Sequence, residues 1–291
     1  MELQQQVVTA NGVEFAYLTA GPDGGPLALC LHGFPDSAHT WRRLAPALVE
    51  AGHRVVAPFL RGYAPTAVPA DGAYQTGALA KDAVSLHEAL GGDERAVIIG
   101  HDWGASATYG AASLAPARWR RVVTAAVPPS GAMGQGFLTY DQLRRSWYMF
   151  FFQHPLADVV TARDNLDFID RLWADWSPGY DATEDLALLK PSLRDPANLA
   201  AALGYYRATL GATPQDPSYE AEQAATQQPT SQPTLYLHGA NDGCIGVELA
   251  RGADAFLGEG SRVEVVEGAG HFLHLERPDT VNALIVDFLT A

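Results

Sequence analysis

The stretch Ala96 to Gly104, reading A-V-I-I-G-H-D-W-G, constrains this chain more than any other. A short apolar, β-branched run of the kind that forms a buried strand breaks at Gly100 and Gly104, with one carboxylate, Asp102, between the two glycines. Small residues on both sides of a polar one, at the end of a buried strand, permit a sharp turn that lifts a side chain out of a sheet and offers it to a crevice. The group offered here is an aspartate.

The rest of the chain supplies a sheet for that strand. Two alternating runs around Asn11-Gly12 predict a hairpin. Leu27 to Leu31 is continuously apolar, as expected of a strand covered on both faces. A helix over Ser37 to Ala51, with Ser37 as N-cap and Gly52 closing it, a strand over Arg54 to Phe59 and a helix over Tyr74 to Leu90 follow. After the elbow come a small-residue helix to Leu114 and a strand over Arg121 to Val127. Strands and helices alternating at this spacing indicate a parallel, doubly wound α/β sheet.

That rhythm stops near Gly131. Up to Gln232 the chain has long amphipathic stretches, aromatic clusters at Trp147 to Phe152 and at Tyr205-Tyr206, and no convincing buried strand; Pro214 to Pro233 reads as a returning linker. Winding resumes with a strand over Pro233 to His238, a helix over Val247 to Phe256, a strand over Arg262 to Val266 and a final helix over Pro278 to Leu289. The expected organisation is a core of residues 1-130 and 233-291 interrupted by a helical cap, 131-232.

Composition excludes several classes of function. A formal charge of -14 leaves no basic patch to neutralise phosphates, so a nucleic-acid partner is not expected and a neutral substrate is. No apolar run reaches membrane-spanning length, and Met1 to Ala10 lacks the pattern of a secretory signal. The 2 cysteines, Cys30 and Cys244, suggest neither a disulfide framework nor a metal cluster. The expected compartment is the cytoplasm, and no metal or cofactor is expected.

Three polar groups stand just past the ends of predicted strands: Asp102, Asp242 in G-A-N-D-G and His271 in G-A-G-H-F. That edge of an open parallel sheet is where ligands bind. Nucleophile, acid and histidine also follow one another as in the triad presented on a G-x-S-x-G elbow, with aspartate in place of serine. With H-G-F-P at His32 to Pro35 and R-G-Y-A-P at Arg61 to Pro65, the chain resembles α/β-hydrolases of the epoxide hydrolase and haloalkane dehalogenase branch. The motifs span both halves of the core.

An aspartate nucleophile disfavours ester and amide substrates, because a carboxylate attacking a carbonyl gives a labile anhydride. Attack on a saturated carbon gives an alkyl ester that water can later cleave. His271, oriented by Asp242, would be the base for that water. The resemblance implies the same sequence of events, with backbone N–H groups of Phe34 and Trp103 as an oxyanion hole and a cis bond before Pro35. His32 and His101 read as loop-orienting histidines and His274 as a packing residue.

The choice of branch rests on the leaving group. Dehalogenases of this kind cradle halide with the Trp after the nucleophile and, in several, an Asn or Glu at the third position of H-G-x-P, where this chain has Phe34. Epoxide hydrolases use two cap tyrosines, and the resemblance matches these to Tyr148, ahead of F-Q-H-P, and to Tyr206 in Tyr205-Tyr206-Arg207. Fluoroacetate-type relatives clamp a carboxylate with arginines where this chain has Trp103 and Ser106. The expected activity is therefore opening of a small apolar epoxide by water, with Phe34, Trp103 and Phe152 in the substrate pocket. A haloalkane dehalogenase is the alternative, and a catalytically silent receptor is a third reading that the intact triad opposes.

Overall fold

Asn11 and Gly12 both adopt positive φ (45° and 71°), the two-residue turn that their sequence predicts, and join strands β1 (Gln4–Ala10) and β2 (Val13–Ala20) in an antiparallel hairpin. The computed structural model describes Met1 and residues 3–291. The hairpin leads into β3 (Leu27–Leu31), β4 (Arg54–Pro58), β5 (Val97–His101), β6 (Arg121–Ala125), β7 (Thr234–Gly239) and β8 (Arg262–Val266). They form one sheet of 8 strands in the order β1-β2-β4-β3-β5-β6-β7-β8, antiparallel at β1-β2 and β2-β4 and parallel beyond. This is the alpha/beta hydrolase fold. Every residue of β3, β5 and β7 is buried, which is why β3 reads as an unbroken apolar run and β5 and β7 as largely apolar ones.

The helices are α1 (Ala45–Glu50), α2 (Thr76–Ala89), α3 (Trp103–Leu114), α4 (Ser130–Gly136), α5 (Tyr140–Arg145), α6 (Trp147–Phe151), α7 (Ala157–Trp176), α8 (Thr183–Leu189), α9 (Pro196–Leu210), α10 (Glu220–Ala225), α11 (Leu273–Glu276) and α12 (Pro278–Thr290). Those from α4 to α10 fill the interval between β6 and β7, where no described residue is in a strand. α7 is interrupted at Arg163 to Leu166, with Asp164, Asn165 and Leu166 at positive φ.

Three local expectations need correcting. Ser37 to Ala51 is a 3-10 helix, Ala38–Arg43, followed by α1, and the Ser37 hydroxyl makes no cap bond; the Ser37 carbonyl accepts from Thr40 N–H instead. Val247 to Phe256 is two 3-10 turns, Val247–Leu249 and Ala253–Phe256, because Gly252 takes a left-handed φ of 79° between them. The supposed linker contains a 3-10 turn, Pro217–Tyr219, and then α10, which packs on α2 and α3.

Candidate active site

Asp102 sits at the turn between β5 and α3 with φ 54° and ψ -120°, outside the regions that L-residues ordinarily adopt. The neighbouring glycines make this possible. A Cβ on Gly100 would lie 2.2 Å from the Gly104 carbonyl oxygen, and one on Gly104 would lie 2.1 Å from that of Leu31. Strain of this kind costs about 1–3 kcal/mol and is held in place by the packing around it. The turn leaves the Asp102 carboxylate facing a cavity.

Asp102 Oδ1 accepts a hydrogen bond from Phe34 N–H at 2.8 Å. Trp103 is the first residue of α3, so its N–H has no intrahelical partner. The Phe34–Pro35 bond is cis. Asp102 Oδ2 lies 3.6 Å from His271 Nε2, a buried atom with no hydrogen-bond partner. His271 Nδ1 lies 2.9 Å from Asp242 Oδ2, while Asp242 Oδ1 accepts from the N–H groups of Cys244 (2.7 Å) and Ile245 (2.9 Å). Sequence reasoning named the three groups, and the structure brings them together from the ends of β5, β7 and β8.

The electrostatics follow from burial against pairing. Burial alone would lower the His271 pKa, but the charge and hydrogen bonds of Asp242 and Asp102 outweigh it and push it up from 6.5 to about 10. Burial would likewise raise the Asp242 carboxyl, yet His271 and, more weakly, His238 hold it below its usual range. Asp242 and Asp102 on either side therefore favour the protonated form of His271.

Tyr148 and Tyr206, from α6 and α9, line the same cavity as Asp102. Burial raises both phenols well above 10, so each carries its proton at neutral pH. The Tyr148 hydroxyl lies 3.3 Å from Cys244 Sγ, and that of Tyr206 has no partner. The outer two residues of the Tyr205-Tyr206-Arg207 step hold α9 in place. Tyr205 donates to the Arg61 carbonyl (2.8 Å), and Arg207 bonds the Phe152 carbonyl (2.9 Å) and the Asp158 carboxylate (2.6 Å). Tyr206, between them, faces the cavity.

The cavity holds about 270 Å³ and has apolar walls that include Met133, Phe137, Met149, Leu210 and Ile245, with Trp103 beside Asp102. Phe34 and Phe152 are not on those walls. Both are fully buried and pack edge-on against Tyr206, with centroids 5.2 Å away, so the tyrosine and not the phenylalanines meets the cavity. Sequence reasoning missed the wall from α4 and α5, whose residues are unremarkable in isolation. It also missed Cys244, although its place two residues after Asp242 puts it on the acid loop.

His32 and His101 are fully buried and bridge loops: His32 Nε2 accepts from Leu60 N–H (3.0 Å), and His101 Nε2 is 2.9 Å from the His271 carbonyl. His274 stacks on Trp41 and pairs with Thr40, away from Asp102. No helix is long and apolar enough to cross a membrane among the described residues.

Residues 26–278 match the family profile of the alpha/beta hydrolase fold. The chain is 31% identical to an AB hydrolase superfamily protein, YfhM, of Bacillus subtilis, with 98% of this chain and 97% of that one covered. Identity is also 31% to epoxide hydrolase A of Mycobacterium tuberculosis, again over 98% and 97%. Among solved structures, epoxide hydrolase A from Mycobacterium thermoresistibile superposes with a TM-score of 0.83 at 29% identity, covering 99% of this chain and 98% of the other.

Proposed function

The chain belongs to the alpha/beta hydrolase fold family, in its epoxide hydrolase branch, and from that premise we propose how it converts a small apolar epoxide and water to a vicinal diol. The observation that carries the reading is one cavity walled by a carboxylate on a strained elbow and by two protonated, buried tyrosines.

Asp102 Oδ1 is held by Phe34 N–H, so Oδ2 is the free nucleophile. It attacks an epoxide carbon and forms an alkyl ester while the C–O bond of the ring breaks. The departing oxygen stays tethered to the product and takes a proton from Tyr206 or Tyr148. Esterification removes the negative charge of Asp102, one of the two charges that hold the proton on His271. The histidine pKa therefore falls at this stage, and the proton it releases balances the one that a tyrosine gave up.

Neutral His271, steered by Asp242, then takes a proton from water as the water attacks the ester carbonyl. The oxyanion forms on Oδ1, where Phe34 N–H already points and Trp103 N–H completes the hole. Collapse breaks the bond between the carbonyl carbon and the product oxygen, which takes the remaining proton of the added water, freeing the diol and the carboxylate and leaving His271 protonated again. Residues 131-232 act as the cap in this scheme, supplying both tyrosines to a core made of 1-130 and 233-291. Water and a neutral epoxide are its only reactants. We place the enzyme in the cytoplasm, since Cys30 and Cys244 are free and buried, an arrangement that needs no oxidising compartment.

A haloalkane dehalogenase would use the same triad, and the buried Trp103 Nε1, which has no partner, is the donor it would offer a halide. A panel of apolar epoxides and matched alkyl halides separates the two. Diol from epoxides without halide release is expected, and halide release without diol would overturn the reading.

A further inference from the structure

Cys244 enters none of these steps, yet its thiol stands among the reacting groups. The metal-ligating atoms of Asp102, Cys244 and His271 all lie within 4.8 Å of one another, and all three residues are buried. Asp102 Oδ2 and His271 Nε2 are 3.6 Å apart. The Nε2 atom has no hydrogen-bond partner, and the Sγ atom has only the Tyr148 hydroxyl at 3.3 Å. The loop is not free to carry the thiol away, because Asp242 accepts the Cys244 N–H and the Gln142 side chain donates to the Cys244 carbonyl at 2.9 Å.

We propose that Asp102, Cys244 and His271 form an inhibitory site for a soft divalent cation, zinc or cadmium, at the centre of the active site. One thiolate, one imidazole and one carboxylate are a donor set that such ions favour, with a fourth position left for water. Tetrahedral zinc at ordinary bond lengths spaces its ligand atoms about 3.5 Å apart, and the 3.6 Å between Asp102 Oδ2 and His271 Nε2 already matches that spacing. On binding, the thiol loses its proton to solvent, as does His271 Nε2. The ester form of Asp102 has no carboxylate to give, so the cation and the substrate compete for the free enzyme. Asp102 and Tyr148, which flank the thiol, line the substrate cavity and give the cation its way in.

The test uses the purified full chain titrated with CdCl₂ and followed by the ultraviolet charge-transfer band between thiolate and cadmium. This readout does not depend on turnover, so its outcome is separate from that of the epoxide reading. The expected result is a saturable band of one cadmium per chain, displaced by ZnCl₂, rising in step with loss of hydrolysis and reversed by a chelator. Cys244→Val should abolish the band, Cys30→Ala should keep it, and His271→Gln, which retains the thiol, should weaken cadmium binding. The buried group Asp36, His101 and His274, the other set of donors close enough to share an ion among the described residues, contains no sulfur and gives no such band. Absence of the band in the unaltered protein, its persistence in Cys244→Val, or equal cadmium inhibition of Cys244→Val would overturn the proposal.

Discussion

Tyr148 and Tyr206 differ in what their hydroxyls touch. The Tyr148 oxygen is 3.3 Å from the Cys244 thiol, whereas the Tyr206 oxygen has nothing to satisfy it in a fully enclosed setting. A buried hydroxyl without a partner is costly, and an epoxide oxygen is the acceptor that would relieve it. Tyr206→Phe should therefore slow the alkylation half-reaction by about 10²-fold or more, and by more than Tyr148→Phe does, when single-turnover rates are compared. Equal losses would mean that the thiol contact does not distinguish the two acids.

His271 makes a second prediction at this scale. Its pKa is raised on folding from 6.5 to about 10, so the favourable pairing is fully present below about 6.5 and is lost as pH climbs through about 10. Asp242 moves the other way: its contribution is present above 3.8 and is lost as pH falls through its depressed value. The melting temperature of the unaltered protein should thus exceed that of His271→Gln most between about pH 4 and 6.5, with the gap closing toward pH 10. A gap that widens with alkalinity would contradict the assigned charge state.

At the scale of elements, the last turn of α7 fixes the loops that carry two members of the triad. The Trp176 carbonyl accepts from both Gly243 N–H (3.1 Å) and His271 N–H (3.0 Å). Trp173 lies flat on Phe272 with centroids 3.5 Å apart and donates to the Pro35 carbonyl at 2.8 Å. Gly243 is needed for this closeness, since a Cβ there would lie 2.1 Å from the Asp175 carbonyl oxygen. Gly243→Ala should push the acid loop away from α7, lowering stability by about 1–3 kcal/mol and reducing kcat together with it. Thermal melts and steady-state rates of the variant check this, and unchanged values would show that the loop does not depend on α7.

Elements differ in how well they can be read from sequence for the same reason. Leu27 to Leu31 and Val97 to Ile99 are legible because both faces are covered and the buried positions are apolar. Val247 to Phe256 has helical composition, but one glycine at φ 79° divides it. The grip of α7 on the catalytic loops joins residues far apart in the chain through backbone carbonyls, which leave no mark on residue type. Cys244 is similar: its meaning lies in a neighbour on α6 that only folding brings near.

In the whole molecule, Asp102, Asp242 and His271, the proposed nucleophile, acid and base, follow β5, β7 and β8, and the two proposed proton donors come from the helices between β6 and β7. The core groups are legible because each needs a particular residue at a strand end, flanked by glycines that only a tight turn requires. The tyrosines are legible only through the resemblance, because an aromatic-rich helical segment has many tyrosines' worth of packing roles and no local signal for the cavity. The walls of that cavity are set by how α4, α5, α6 and α9 lean together, a property of packing rather than of any motif.

All of these parts serve one claim, that the oxygen added to the substrate comes from Asp102. A single turnover in H₂¹⁸O with enzyme in excess tests it directly. The first-turnover diol should lack the heavy isotope, with ¹⁸O appearing instead in the peptide that carries Asp102. A labelled diol beside an unlabelled Asp102 would contradict it, because water would then have attacked the epoxide itself.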